Sequence, residues 1–259
     1  MIKSILTAAL LYTTLSYGSF EAVNINPNSV RIGNISGFKK GDGLIPFISY
    51  DKQAFSAGYL IPFGISELSM QEVIYFRKIS GRSLSITLRS FGNDYYRENT
   101  AAFTAEVYKN EDLKIYPTIK YFGLKDELGN KSSFGTDLNV SYVLTKDLYT
   151  IISVQNFYAY ETKNIDIPMT MMLSLKYRSA GYFNVYAGLE KDSNNPAILK
   201  TGLEYAPFDF FSISAGYNFD PQLLCSGFSI GYRGLVFTYG MSYHFDLEHS
   251  HSFGLVYEF

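Results

Sequence analysis

Apolar and polar residues alternate with a period of two from about residue 44 to the end of the chain. Residues 83–89 are apolar at the even positions and polar at the odd ones, and the odd positions of 235–245 form one unbroken apolar face. Successive side chains of a β-strand point to opposite faces of a sheet, whereas a helix repeats its face every three to four residues. The pattern therefore predicts a series of β-strands and fits helical spacing in none of these segments.

The connections between these strands predict their arrangement. Short connections at 80–82, 109–112, 145–147, 179–181 and 233–234 alternate with longer ones at 92–100, 125–133, 159–167 and 191–197. This alternation is typical of outer-membrane barrels, which have tight periplasmic turns and longer outer loops. We therefore predict an all-β fold, an antiparallel up-and-down transmembrane β-barrel of about fourteen strands, within a range of roughly 12 to 16. Both faces mix polar and apolar residues in segments 28–37, 44–52, 70–79 and 148–157.

The first 43 residues do not follow the alternation. Residues 1–18 combine Lys3, an apolar stretch and small residues before position 19, which is typical of a cleaved secretory signal peptide. Residues 19–43 contain several glycines and alternate little. They are expected to form a periplasmic extension, a plug in the barrel lumen or one more poorly marked strand. The barrel itself is expected to span residues 44–259.

The last strand carries a second targeting feature. One face of it is formed by His251, Phe253, Leu255, Tyr257 and Phe259. A terminal strand of alternating aromatic residues that ends on phenylalanine resembles the signal read by the outer-membrane barrel assembly machinery. Together with the signal peptide, it predicts localisation in the cell outer membrane, with outer-membrane lipid and the barrel assembly machinery as partners.

Composition and charge exclude several classes of function. Lys and Arg total 22 against 24 Asp and Glu, a net charge of −2, whereas a nucleic-acid binder needs a concentrated basic surplus. The single cysteine, Cys225, excludes an internal disulfide and a multi-cysteine zinc site, and we expect it on an inward face. No nucleic-acid partner and no cofactor are predicted.

Few residues suggest catalysis or metal binding. His244, His249 and His251 cluster around a turn, which we interpret as a solvated turn and not as a metal site. A serine hydrolase needs a serine, a histidine and an orienting acid on one face. Ser242 and His244 share a face, but serines are common on the inward faces throughout the chain. We therefore predict that the protein is not an enzyme.

Charged residues on the predicted inward faces are candidates for lining the lumen. They are Arg89, Glu106, Lys114, Lys120, Asp137, Lys176, Arg178, Lys200, Glu204 and Arg233. In a narrow barrel they would pair across the interior, and in a wide one they would line a wet pore and set its ion preference. Because both signs are interleaved, the sequence favours paired charges.

A second candidate surface lies in the predicted outer loops. Tyrosine and arginine are enriched where proteins recognise one another. The loop candidates for such recognition are Tyr95, Tyr96, Arg97, Tyr158 and Tyr160. The alternative is ordinary packing of the loops above the barrel mouth.

Several short motifs occur in a fixed order and resemble one family. They are Asn26-Pro27 before the first strand, the loop Phe91-Gly92-Asn93-Asp94-Tyr95-Tyr96-Arg97-Glu98, Glu190-Lys191-Asp192, Gly202-Leu203-Glu204-Tyr205, Ala215-Gly216-Tyr217-Asn218, Gly227-Phe228-Ser229-Ile230-Gly231-Tyr232, and Tyr239, His244, Leu247 and His251 before Phe259. Their order resembles the PorV/PorQ family of outer-membrane barrels, which is related to the FadL-type transporters. The chain departs from the family at Asn26-Pro27-Asn28, where the family has Asn-Pro-Ala.

The resemblance implies a barrel of about fourteen strands without catalytic activity. Some family members act in type IX secretion, so it implies a scaffold or shuttle for exported proteins. Two alternatives remain open: a FadL-like transporter of hydrophobic compounds, with a hydrophobic small molecule as its partner, and a passive diffusion porin.

Overall fold

The computed structural model describes residues 20, 25–39, 53–160, 167–179 and 181–259. The predicted signal peptide, residues 1–18, and the start of the predicted barrel, residues 44–52, lie outside the described residues. The described part is a closed antiparallel β-barrel with one short inner segment, residues 25–39, which contacts the inward faces of the strands. The predicted fold class is confirmed.

The strands follow one another in the order of the chain. They are β1 Ala54–Ile61, β2 Met70–Ile79, β3 Arg82–Gly92, β4 Arg97–Ala105, β5 Tyr108–Lys109, β6 Leu113–Asp126, β7 Gly129–Thr145, β8 Leu148–Ala159, β9 Thr170–Arg178, β10 Phe183–Asp192, β11 Ile198–Phe208, β12 Phe211–Phe219, β13 Gln222–Tyr232, β14 Leu235–His244 and β15 Glu248–Glu258. Segments 70–79 and 148–157, whose patterns are mixed, are therefore strands.

Two pairings close the sheet into a barrel. β1 pairs with β15, so that Ala54 lies opposite Glu258, and β4 pairs with β6. The two-residue β5 only extends the edge of β6 at one end. Leaving β5 aside, fourteen strands form the wall, as predicted. Closure satisfies the backbone donors and acceptors that an open sheet edge would leave unpaired in lipid.

The connections lie at two rims. Among the fully described connections, the turn rim carries 80–81, 106–112, 146–147, 209–210 and 233–234. The loop rim carries 62–69, 93–96, 127–128, 193–197, 220–221 and 245–247. Two predicted long loops are wrong: 92–100 shrinks to 93–96, and 125–133 becomes a two-residue turn. β6 and β7 continue in register to the pair Asp126 and Gly129. Both faces of these strand ends are polar, so the alternation disappears although the hydrogen-bonded ladder continues.

The outer face of the wall is apolar. Exposed side chains such as Ile86, Leu88 and Ile119 have 49%, 53% and 61% of their surface accessible. A belt of this kind is far larger than the apolar patches that soluble monomers expose, and it is typical of a surface that faces lipid. Among the described residues, no helix is long and apolar enough to cross a membrane.

The inner segment is helical at its start. Helix α1, Pro27–Val30, begins after Asn26, whose side chain accepts a hydrogen bond from Asn28 N–H at 2.8 Å. Asparagine at the N-cap and proline in the first turn are both favourable, because the proline lacks an N–H that would be unsatisfied there. The mixed pattern of 28–37 therefore belongs to a short helix and turns, and not to a further strand.

Candidate functional site

Glycines form the seat of the inner segment. The inward faces of β1 and β10–β15, here called the glycine wall, carry three glycine pairs directly opposite one another across neighbouring strands. The pairs are Gly58 with Gly254, Gly240 with Gly227, and Gly216 with Gly202, and Gly188 extends the row. Several of these glycines belong to the motifs that carry the family resemblance.

The inner segment lies so close to this wall that side chains would collide with it. A Cβ at Gly254 would lie 2.7 Å from Pro27 Cγ, and one at Gly227 would lie 2.7 Å from Arg31 Cβ. At Gly202 and Gly216 the added carbon would overlap backbone atoms of the inner segment. Cβ atoms essentially never make contacts this short, so these four positions require glycine.

One buried carboxylate holds the inner segment to the glycine wall. Glu204 on β11 accepts a hydrogen bond from Arg31 Nη2 at 2.8 Å, and each of these side chains is 2% exposed. Lys39 Nζ pairs with the same carboxylate, and Tyr186 Oη donates to it at 2.9 Å. Arg31 also donates to Ser214 Oγ at 3.0 Å. A buried ion pair that loses one partner leaves an uncompensated charge, so these groups depend on one another.

Lys39 at the end of the inner segment is electrostatically the most perturbed group of the segment. Burial lowers the pKa of Lys39 to about 7, although the neighbouring Glu204 carboxylate opposes this by attraction. The nearby charges of Arg31 and Lys176 lower the pKa further. The guanidinium of Arg31 stays charged when Lys39 loses its proton, so the Arg31–Glu204 pair does not depend on pH in the way the Lys39 pair does.

Apolar residues of the inner segment reach across the lumen. Ile32, Ile35 and Phe38 pack in one cluster with Tyr116, Ile151, Met172 and Tyr186, which come from β6, β8, β9 and β10. The segment thus touches the wall opposite its glycine seat. The lumen at this height contains packed side chains from both sides.

The wall opposite the seat carries many polar and charged residues beside the apolar ones of this cluster. The inward faces of β2–β9, here called the polar wall, carry the ion pairs Glu72–Arg89 at 2.6 Å and Lys120–Asp137 at 2.8 Å. On the other side, Lys200 pairs with Glu190 at 2.7 Å and donates to Asn34 O of the inner segment at 3.3 Å. Charges of both signs therefore pair within the lumen.

Nine of the ten predicted lumen charges lie at inward positions of the wall or at its edge. Those not yet placed are Glu106, which accepts from Tyr116 Oη at 3.3 Å, the half-buried Lys114 and Lys176, and Arg178, which is exposed at the turn rim beside the Tyr149 ring. Arg233 is different: it lies exposed in the turn between β13 and β14, over the Tyr232 ring. Its prediction as an inward residue is wrong because the strand ends one residue before it. Cys225 is fully buried on an inward face of β13.

A bulge in the polar wall gathers a second polar cluster. Thr136 pairs with Tyr158 and Leu138 with Val154, so Asp137 faces three residues of β8. One of them, Asn156, has a φ of 53° and donates its backbone N–H to Asp137 Oδ1 at 2.8 Å. Its side chain accepts from Lys120 Nζ at 3.1 Å and donates to Pro168 O at 3.0 Å. The bulge therefore directs Asn156 inward to join the Lys120–Asp137 pair.

An apolar cluster lies next to this bulge at the loop rim. Phe122, Leu124, Ile167 and Phe20 are buried against one another, and Tyr96 and Ala159 pack around them. The Lys120 ammonium lies 5.9 Å from the centre of the Phe122 ring, which joins the polar cluster to the apolar one. The lumen thus changes from apolar to polar over a few residues of β6 and β8.

The loop candidates do not form one surface. Tyr95, Tyr158 and Tyr160 are 81%, 61% and 60% exposed, and Arg97 pairs with Asp94 at the surface. Tyr96 is half-buried and donates to Glu98 Oε1 at 2.5 Å. The structure therefore brings Tyr96 into the apolar cluster and leaves the others separately exposed.

The histidines lie on the outer side of the barrel or at its loop rim. His249 and His251 point outward on β15, and His251 Nδ1 lies 2.8 Å from Tyr239 Oη. Within the described ranges, no group of three or more His, Cys, Asp or Glu residues could hold a metal ion.

Sequence reasoning missed several residues of the site. Arg31 and Lys39 lie in the stretch without alternation, and Glu72 and Glu190 are not among the charges predicted to line the lumen. The signal that was available is the set of inward glycines on successive strands, at 188, 202, 216, 227, 240 and 254. Inward positions without a side chain indicate that something else fills the lumen beside them.

Solved barrels with this architecture are known. The CymD monoaromatic hydrocarbon channel superimposes with a TM-score of 0.73 at 12% identity, covering 93% of this chain and 99% of that one. The Pseudomonas putida toluene transporter TodX superimposes with a TM-score of 0.66 at 10% identity, covering 92% and 99%. Neither a family model nor a curated protein matches the sequence. These similarities establish a shared fold, and they do not show the PorV/PorQ resemblance that the motifs suggest.

Proposed function

We propose that the protein is an outer-membrane channel that lets small hydrophobic or amphipathic molecules pass through a barrel occupied by its own inner segment. The observation that carries this proposal is the seating of residues 25–39 on the glycine wall, with apolar side chains packed across the lumen. The shared fold with two hydrocarbon channels supports the same assignment.

The filled lumen argues against a passive diffusion porin. A porin conducts through a water-filled channel lined by polar groups. Here Ile32, Ile35 and Phe38 pack against side chains of the opposite wall. Such a lumen resists ions and hydrophilic solutes, whereas an apolar molecule finds favourable contacts at the cluster around Phe122.

The rims favour the channel over a scaffold for exported proteins. Recognition of a protein partner needs a large contiguous surface with a few buried anchors. Several loop-rim connections are short: 127–128, 220–221 and 245–247. The exposed tyrosines that were candidates for recognition lie apart from Tyr96, which is engaged inside the barrel.

The test combines conductance with solute passage. The chain from residue 19 onward is refolded into planar bilayers, and toluene uptake is measured in cells that carry or lack it. We expect little steady current and faster toluene uptake. A large, stable conductance would indicate an open pore, and unchanged uptake in cells with a correctly folded barrel would contradict the proposal.

A further inference from the structure

The described part of the polar wall contains one buried side chain whose amide is entirely unsatisfied. Gln155 on β8 is 1% exposed, and neither its amide oxygen nor its amide nitrogen has a hydrogen-bond partner. Leaving a buried polar group unpaired is costly, and a buried amide usually finds partners. Nearby Asn139 shows the usual situation, since it accepts from Ser153 Oγ and donates to Tyr116 O.

The position of Gln155 connects it to the bulge. Gln155 is the last β8 residue paired with β9, opposite Thr170, and it immediately precedes the inward-turned Asn156. The β7 residue that faces it across the bulge is Asp137, which forms an ion pair with Lys120 of β6. The apolar cluster of Phe122 and Ile167 continues from this pair toward the loop rim.

We infer that Gln155 is the docking group for an uncharged hydroxyl group carried on a small apolar body. The apolar body packs against the cluster around Phe122, and the hydroxyl both accepts from and donates to the amide of Gln155. A hydroxyl offers one donor and two acceptor sites, which match the two halves of an amide. The inference rests on the proposed function and specifies which solutes the channel prefers.

The neighbouring charges exclude a carboxylate as the preferred head group. Lys120 is already neutralised by Asp137 at 2.8 Å and also bonds Asn156 at 3.1 Å. An anion would therefore meet a balanced ion pair instead of a free cation, and would lose its hydration without compensation. A pure hydrocarbon would leave the amide of Gln155 unsatisfied. A neutral hydroxyl compound needs no free cation and also supplies hydrogen bonds to the amide of Gln155.

The experiment compares three ligands that share one ring. Benzyl alcohol, toluene and benzoate are titrated against the refolded chain in lipid nanodiscs by saturation-transfer-difference NMR, with empty nanodiscs as the blank. The unaltered protein should bind benzyl alcohol more tightly than either other ligand. Gln155→Leu should weaken benzyl alcohol binding by about 2- to 12-fold, the range for one hydrogen-bonded group, and leave toluene unchanged.

The matched control is Gln222→Leu, because Gln222 is exposed at the loop rim of β13. Gln155→Met retains a side chain of similar length and replaces Gln155→Leu should the latter fail to fold. Equal binding of the three ligands, or no effect of the Gln155 variants, would overturn the inference. Toluene uptake in cells reports separately on the proposed function, because a channel that passes toluene without this binding preference contradicts only the inference.

Discussion

Two buried glutamates on opposite sides of the lumen show how differently the two walls are used. Glu204 on the glycine wall and Glu72 on the polar wall are each 2% exposed, and each pairs with an arginine. Arg31, the partner of Glu204, belongs to the inner segment, whereas Arg89, the partner of Glu72, lies on the adjacent strand β3. The same kind of ion pair therefore binds the inner segment to the glycine wall, whereas on the polar wall it only joins two neighbouring strands.

The comparison teaches that the two walls of one lumen can have different roles. The glycine wall binds the inner segment, and the polar wall offers a surface for solutes. On the glycine wall the absence of side chains lets backbone meet backbone, and the ion pair fixes the orientation of the segment. On the polar wall the side chains are retained, and several buried polar atoms have no hydrogen-bond partner, among them Ser83 Oγ, Ser85 Oγ and both amide atoms of Gln155. Each group left unsatisfied in this way needs a partner that the described residues do not supply.

The largest expected effect is the difference in conductance between two variants, in which Glu204 or Glu72 is replaced by glutamine. Glu204→Gln leaves Arg31 and Lys39 without a counter-charge, which should cost about 3–5 kcal/mol and release the inner segment. Single-channel recordings should then show a new, larger conductance. Glu72→Gln should lower the free energy of unfolding in lipid vesicles without opening the channel, because Arg89 does not belong to the inner segment. Equal conductance of the two variants would contradict the division between the walls.

A smaller effect is expected from filling the seat. Gly216→Ala places a methyl group against the backbone of Gly33, and such overpacking costs about 1–3 kcal/mol. If this free-energy cost only weakens the binding of the inner segment to the glycine wall, the open fraction of the channel should rise roughly 5- to 150-fold. Gly123→Ala is the control, since its nearest neighbour would be 3.6 Å away on the Tyr121 ring. An unchanged open fraction in Gly216→Ala would show that the segment adjusts or that the seat does not limit opening.

The strands could be predicted from the sequence, but the seat could not. Alternation follows from one apolar and one polar environment, so it marks strands such as β3 and β14 wherever the wall has lipid on one side. It fails at the ends of β6 and β7, where both faces are polar, and at Gln155–Phe157, where the bulge shifts the alternation. Arg31 and Glu204 are 173 residues apart, and only the strand register brings the glycines into one row.

A third, smaller contrast compares two buried serines. Ser252 on the glycine wall donates to Ile25 O of the inner segment at 2.5 Å, whereas Ser85 Oγ on the polar wall has no partner among the described residues. Ser252→Ala should therefore cost about 0.5–1.5 kcal/mol, while Ser85→Ala should be neutral or stabilising. Urea unfolding of both variants in lipid vesicles measures the difference. Equal losses of unfolding free energy in the two variants would mean that the hydroxyl of Ser85 is hydrogen-bonded in the membrane.

The smallest effect should come from an ion pair outside both walls. Asp94 and Arg97 pair at 3.2 Å on the loop rim, where their side chains are 93% and 45% exposed. Exposed pairs contribute at most about 1 kcal/mol because water and salt screen them. Asp94→Ala should therefore leave both the conductance and the urea midpoint nearly unchanged. A change as large as that of Glu204→Gln would instead show that the loop between β3 and β4 controls the channel, and the contrast between the two lumen walls would no longer explain its closure.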